Sequence, residues 1–198
     1  MRLDEARLYL VHDGDLEIAE AALRGGADII QLRVKETPDD ELLERARALR
    51  RLCTAHGALF IVNDSAELAV RVDADGVHVG QDDLPVAEAR RIVGSDRIVG
   101  LSTHSAAQIE AAESVDYIAV GPVFATPTKP GRPAVGLELV QTAARTATVP
   151  WFAIGGIDEG NVDDVRAAGA TRIAVVRAVA RAPDAECAAR ALRDRLSY

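Results

Sequence analysis

The 198-residue chain predicts an α/β fold, a single (β/α)8 barrel running from residue 1 to residue 198. Three observations carry that expectation. Eight short apolar runs alternate with eight longer amphipathic stretches, and parallel strands need such crossovers. Nearly every run ends in a polar or glycine-rich cluster, as the mouth of a barrel requires. A doubly wound open sheet would usually carry a glycine-rich dinucleotide fingerprint after its first strand, and none is present.

In chain order, Leu8 to Val11 forms the first strand, followed by His12-Asp13-Gly14, with Asp15 as cap of a helix that Gly25-Gly26 stops. The second strand is Asp28 to Arg33, leading into Val34-Lys35-Glu36-Thr37. Thr37 is expected to cap the next helix, with Pro38 at its first position and an end near Ala55. Ala58 to Val62 is the third strand, ending in Asn63-Asp64, with a helix from Ser65. Gly76 to Val79 is the fourth, before Gly80-Gln81-Asp82-Asp83 and a helix near Pro85. Arg97 to Leu101 is the fifth, ending in Ser102-Thr103-His104-Ser105. Asp116 to Val120 is the sixth, and a Pro/Gly-rich loop from Gly121 to Pro133 follows it before a helix at Gly136. Pro150 to Ile154 is the seventh, ending in Gly155-Gly156-Ile157-Asp158. Thr171 to Val176 is the eighth, followed by Arg177 and a last helix from about Pro183, with no extra segment at either end. Such a TIM barrel is short for its class, where about 250 residues is typical, and leaves little room for an inserted domain.

Lys and Arg total 23 against 31 Asp and Glu, a net charge of −8. That balance disfavours nucleic-acid or membrane-surface partners, so any anion must be held by a local basic cluster. Cys53 and Cys187 lack a metal-ligand neighbour at short spacing and read as reduced thiols. The acidic start and the lack of a long apolar run point to a soluble, cytoplasmic protein without a membrane span.

At the strand ends the mouth gathers Gln31, Arg33, Lys35, Asn63, Asp64, Asp82 or Asp83, Ser102, Thr126, Thr128, Lys129 and Gly155-Gly156. Gln31 and Arg33 are two apart on one strand and share a face. Singly, Asn63-Asp64 could cap a helix and Asp82-Asp83 could start one. Together they place carboxylates and an amide on adjacent strands, a set suited to Mg²⁺ with phosphate oxygens completing its shell. No His- or Cys-rich cluster suggests zinc. The glycines of the seventh strand and the turn after the eighth lie where barrels commonly hold phosphate. The mouth therefore offers a basic, metal-assisted site fit for a diphosphate and a backbone-rich one fit for a monophosphate. His56 reads as a helix-end residue and His78 as core, while His12 and His104 lie near the mouth. No Ser/His/Asp or Cys/His order points to acyl transfer.

Laid end to end, Tyr9-Leu10-Val11, Gln31-Leu32-Arg33-Val34-Lys35, Ile61-Val62-Asn63-Asp64 and the run from Asp75 to Pro85 resemble the thiamine-phosphate synthase family. So do Gly100-Leu101-Ser102-Thr103-His104, the run from Gly121 to Lys129, and Ala153-Ile154-Gly155-Gly156-Ile157. The resemblance covers nearly the whole chain. It implies a transferase that joins hydroxymethylpyrimidine diphosphate to a thiazole phosphate and releases pyrophosphate. By that likeness Gln31, Arg33, Lys35, Asn63 and Lys129 hold the pyrimidine diphosphate, with Arg33, Lys35, Ser102 and Lys129 nearest the chemistry. Asp64 and Asp83 hold Mg²⁺, Asp83 being preferred over Asp82. Thr126, Thr128, Gly156 and the segment Val176-Arg177 hold the thiazole phosphate. Many relatives have serine where Arg177 stands, and Trp151-Phe152 is bulkier than the aliphatic pair expected there. Relatives are often dimers, so a homodimer is compatible with the likeness. The competing readings are a paralogous thiazole tautomerase using His104, another phosphosugar isomerase or epimerase on this barrel, and a non-catalytic barrel that binds thiamine precursors.

Overall fold

A computed structural model describes residues 2–35, 37–126 and 133–196. Eight parallel strands close in sequence order: β1 (Leu8–His12), β2 (Ile29–Leu32), β3 (Leu59–Asn63), β4 (Gly76–Val79), β5 (Ile98–Thr103), β6 (Tyr117–Val120), β7 (Trp151–Ile154) and β8 (Ile173–Val175). β8 pairs back onto β1 through Leu8 with Ile173, Tyr9 with Ala174 and Leu10 with Val175, which seals the barrel. Outside lie α1 (Leu16–Arg24), α2 (Asp39–His56), α3 (Ala66–Arg71), α4 (Val86–Val93), α5 (Ala106–Glu110), α6 (Gly136–Thr146), α7 (Val162–Ala167), α8 (Arg177–Ala180) and α9 (Ala185–Arg195).

Strand alternation divides the core into two shells. Leu8, Leu10, Ile30, Leu32, Phe60 and Val62 pack outward against helix residues such as Ala19, Ala22 and Leu49. Tyr9, Val11, Ile29, Ile61, Tyr117 and Phe152 fill the barrel itself. There Phe152 meets Tyr9 and Tyr117 edge to face at 5.3 and 5.6 Å. Burying each such side chain contributes about 1.5–3 kcal/mol. The bulk of Phe152 is thus core packing beneath the mouth. Gly100 makes room for this layer, because a Cβ there would stand 2.2 Å from the Tyr117 ring.

The opposite, N-terminal rim repeats one device. Asp28, just before β2, accepts from the backbone N–H of Arg7 at 2.7 Å and of Leu8 at 3.0 Å. Asp75, before β4, does the same for Phe60 at 2.7 Å, and Asp116, before β6, for Val99 at 2.7 Å. Each also meets an arginine: Arg193, Arg50 and Arg90 in turn.

Two local expectations are corrected. Pro38, not Thr37, is the cap of α2; it offers no side-chain acceptor, and Asp39, Asp40 and Glu41 complement the helix dipole instead. An extra short helix, α8, stands between β8 and α9, and Asp184 caps α9 by accepting from Cys187 N–H. Four residues are too few for a periodic signal, which is why α8 is invisible in the pattern. No helix among the described residues is long and apolar enough to cross a membrane.

Candidate active site

The strand ends bring those expected side chains that lie among the described residues to one mouth. Gln31, at the inward-facing end of β2, is buried, and Arg33 stands two residues on above it. Asn63 ends β3 and lines the same narrow interior cavity, as do His78 and Ser102. The Arg33 guanidinium has no partner among the described residues. An unpaired cation at the entrance of an acidic protein is open to an anionic ligand.

Beside it lies a carboxylate pair. Ser65, not Asn63 or Asp64, caps α3 by accepting from Leu68 N–H. Asp64 is released from capping and adopts a left-handed backbone with φ of 65°. Its carboxylate lies 3.4 Å from Lys35 Nζ. Burial raises the Asp64 acid above the ordinary carboxylate range; the charge of Asp83 raises it further, and Lys35 opposes both. Asp83 is fixed by a turn in which its Oδ2 accepts from Gly80 N–H at 2.9 Å, so it is not a helix start. Two carboxylates held against each other repel unless a proton or a cation lies between them. Two oxygen donors of this kind, flanked by space for phosphate oxygens, fit Mg²⁺. No group of three or more His, Cys, Asp or Glu among the described residues forms a fuller metal cage.

On the far side, β5 to β8 surround a cavity of about 400 Å³. Its wall includes Thr126, Gly155, Gly156, Val176, Arg177 and Arg181. Gly155 and Gly156 adopt φ of 104° and 66°. Side chains there would also meet Pro122 and Phe124 within 2.5 and 2.7 Å. Only glycine satisfies both constraints, and the result is bare backbone facing the cavity. Val176 is the last residue before α8, and Arg177 opens that helix. Arg177 and Arg181, one turn apart and exposed, have no ion-pair partner among the described residues. Arg181 had no signal in the sequence, since it is the C-cap of the short helix that escaped detection. Ser102 and Ile154 line both this cavity and the interior one, so the two cavities adjoin.

His104 stands in the larger cavity, its Nδ1–H donated to the Gly121 carbonyl at 2.5 Å. His12 is buried and is not among the residues lining these two cavities: Gly14 N–H donates to its Nδ1 at 3.2 Å, and burial lowers its pKa. His78 is buried as expected, yet both of its ring nitrogens are bonded, to Tyr117 and Ser102. Thr128 and Lys129 lie outside the described residues.

A model of the thiamine monophosphate synthase family matches residues 7–179. The chain belongs to that family. It is 54% identical over 182 residues to a thiamine-phosphate synthase of Nostoc punctiforme, covering 89% of this chain and 52% of that relative. The chain thus spans about half the length of the cyanobacterial members it matches. Against the thiamine-phosphate synthase of Saccharopolyspora erythraea it is 52% identical, covering 98% of this chain and 95% of the relative. The solved thiamine phosphate pyrophosphorylase from Pyrococcus furiosus superposes with a TM-score of 0.91 at 35% identity, over 98% of this chain and 96% of that one. Family membership and barrel architecture therefore agree with the sequence reading.

Proposed function

We propose that this chain forms thiamine phosphate from 4-amino-2-methyl-5-hydroxymethylpyrimidine diphosphate and 4-methyl-5-(2-hydroxyethyl)thiazole phosphate, releasing pyrophosphate. The observation that carries this reading is the pairing of sites at one mouth. Arg33, Lys35 and the Asp64–Asp83 pair stand on one side, and a cavity walled by bare glycine backbone and arginine stands on the other.

Gln31, Arg33, Lys35, Asn63 and Lys129 bind and orient the pyrimidine diphosphate. When bound at Asp64 and Asp83, Mg²⁺ supplies Lewis-acid neutralisation of the diphosphate oxygens. The bond between the pyrimidine methylene and the diphosphate oxygen breaks, and its electron pair leaves with pyrophosphate. Arg33, Lys35 and Lys129 stabilise the charge growing on that group. The electron-rich aminopyrimidine carries positive charge at its methylene, beside Ser102. Thr126, Thr128, Gly156 and the Val176-Arg177 segment hold the thiazole phosphate so that the ring nitrogen attacks that carbon. Positioning and ion binding do the work, in keeping with the lack of a nucleophile-base pair in the sequence. Work in the cytoplasm, and as a homodimer, is part of the same reading.

The decisive assay is thiamine-phosphate formation from the two purified substrates with and without Mg²⁺. Mg²⁺-dependent product is expected. Isomerisation of a thiazole phosphate without condensation would overturn the reading in favour of a tautomerase centred on His104. Lys129→Ala is expected to lower turnover strongly at unchanged thermal stability, and near-wild-type kinetics would remove Lys129 from the diphosphate site.

A further inference from the structure

Beneath the mouth, five buried polar side chains join into one unbroken hydrogen-bonded chain across the barrel. Gln31 Nε2 donates to Tyr9 Oη at 2.5 Å, and Tyr9 Oη lies 2.8 Å from Tyr117 Oη. Tyr117 Oη is 2.9 Å from His78 Nδ1, and His78 Nε2 is 2.9 Å from Ser102 Oγ. The chain thus links β2, β1, β6, β4 and β5, and its two ends are both residues assigned to the pyrimidine.

A hydroxyl has one proton to give, and a buried one must be given to a partner, so with each phenol bonded only to its two neighbours in the chain the direction at one end fixes every link. Tyr9 accepts from Gln31 and must donate to Tyr117. Tyr117 must then donate to His78 Nδ1. The imidazole carries its proton on Nε2 and gives it to Ser102. Both phenols are held protonated by burial, which raises their pKa. We propose that this chain is a one-way relay of hydrogen-bond donation. It presents the Ser102 hydroxyl as a donor, and the Gln31 side-chain carbonyl as an acceptor, to an aminopyrimidine. A ring nitrogen accepts from Ser102, and the exocyclic amino group donates to Gln31. Tyr9, Tyr117 and His78 are positioning residues. The substrate assignment rests on the function proposed above; the polarity of the relay does not.

The imidazole tautomer reads that polarity directly. In ¹⁵N-labelled protein the His78 ring, assigned through its contact with the Tyr117 ring at 5.5 Å, is expected to be neutral with the proton on Nε2. Gln31→Glu replaces the donating amide by an acceptor, so Tyr9 turns round, Tyr117 follows, and the proton moves to Nδ1. A proton on Nδ1 in the wild type, or no shift in Gln31→Glu, would overturn the relay. Tyr117→Phe and Tyr9→Phe keep the rings and delete one hydroxyl each, and with it two of the chain's bonds. Each is expected to raise KM for the pyrimidine diphosphate about tenfold, the worth of one to two such bonds, with KM for the thiazole phosphate unchanged. Equal changes in both KM values, or none, with the fold intact by circular dichroism, would reject the positioning role. Inactive wild-type protein would instead reject the proposed function and leave the tautomer measurement to judge the relay alone.

Discussion

The two rims of the barrel carry similar charges in different employment. At the N-terminal rim Asp28, Asp75 and Asp116 each accept from backbone N–H groups of the neighbouring strand and meet an arginine. Their charges close the molecule on itself. At the mouth Asp64 is held against another carboxylate, and Arg33, Arg177 and Arg181 face cavities without a partner among the described residues. Among the described residues the three arginines have no ion-pair partner, and Asp64 has only Lys35 to offset the neighbouring carboxylate, which leaves these charges open to a ligand. The contrast teaches that an ionic residue's role follows from what already satisfies it, and that stability and function have been placed at opposite ends of the same strands.

Substitution at each rim should therefore fail in a different way. Asp64→Ala is expected to lower turnover by about a hundredfold or more, as removal of one metal or oxyanion contact does, with the melting temperature held or raised because a repulsion is relieved. Steady-state kinetics beside calorimetry would check it; lost stability with kept turnover would erase the distinction. Asp28→Ala should do the reverse. Leaving the Arg7 and Leu8 backbone N–H groups without their acceptor costs about 3 kcal/mol, roughly 6–10 °C in a chain of this size, with KM values unchanged in the folded fraction. Arg177→Ser is a milder mouth change. A roughly fivefold rise in KM for the thiazole phosphate is expected, the worth of about 1 kcal/mol for an exposed charge contact, with the pyrimidine KM unmoved. If neither KM changes, Arg177 is a solvated cation and not a ligand group.

His12 gives the smallest effect and sharpens the comparison, since it ends a strand at the mouth yet serves packing. Burial lowers its pKa below the ordinary value of about 6.5, against the opposing charges of Asp13 and Asp15. The unfolded chain then binds a proton that the folded chain refuses, so stability is full above about pH 6.5 and declines below it. Denaturant titrations at pH 7 and pH 5.5 should show that decline lessened in His12→Asn, and equal slopes in both proteins would dismiss the assignment.

The barrel was legible because its strands are apolar on both faces and its turns are marked by Gly, Asp and Asn. The mouth charges were legible because Gln31 and Arg33 obey the two-residue period, and Asn63, Asp64 and Asp83 stand where strands end. The relay was not. Tyr9 and Tyr117 are 108 residues apart, and a tyrosine in an apolar run has no mark separating a core ring from a hydrogen-bonding link. His78 read as core for the same reason, and the reading was half right: it is buried, and bonded at both nitrogens. Thr37 looked like a cap because Thr-Pro usually opens a helix one residue earlier than this one does.

The aromatic layer has an optical consequence. Trp151 is the chain's single tryptophan, and it is paired in register with Ile118, next to Tyr117. Tyr9 lies edge to face with Tyr117 at 5.9 Å, so both phenols sit within energy-transfer reach of the indole across β6 and β7. Light absorbed by tyrosine should emerge from Trp151 while the barrel is closed and revert to tyrosine emission when β6 and β7 part. The native chain thus contains an intrinsic gauge of barrel closure, read without any label.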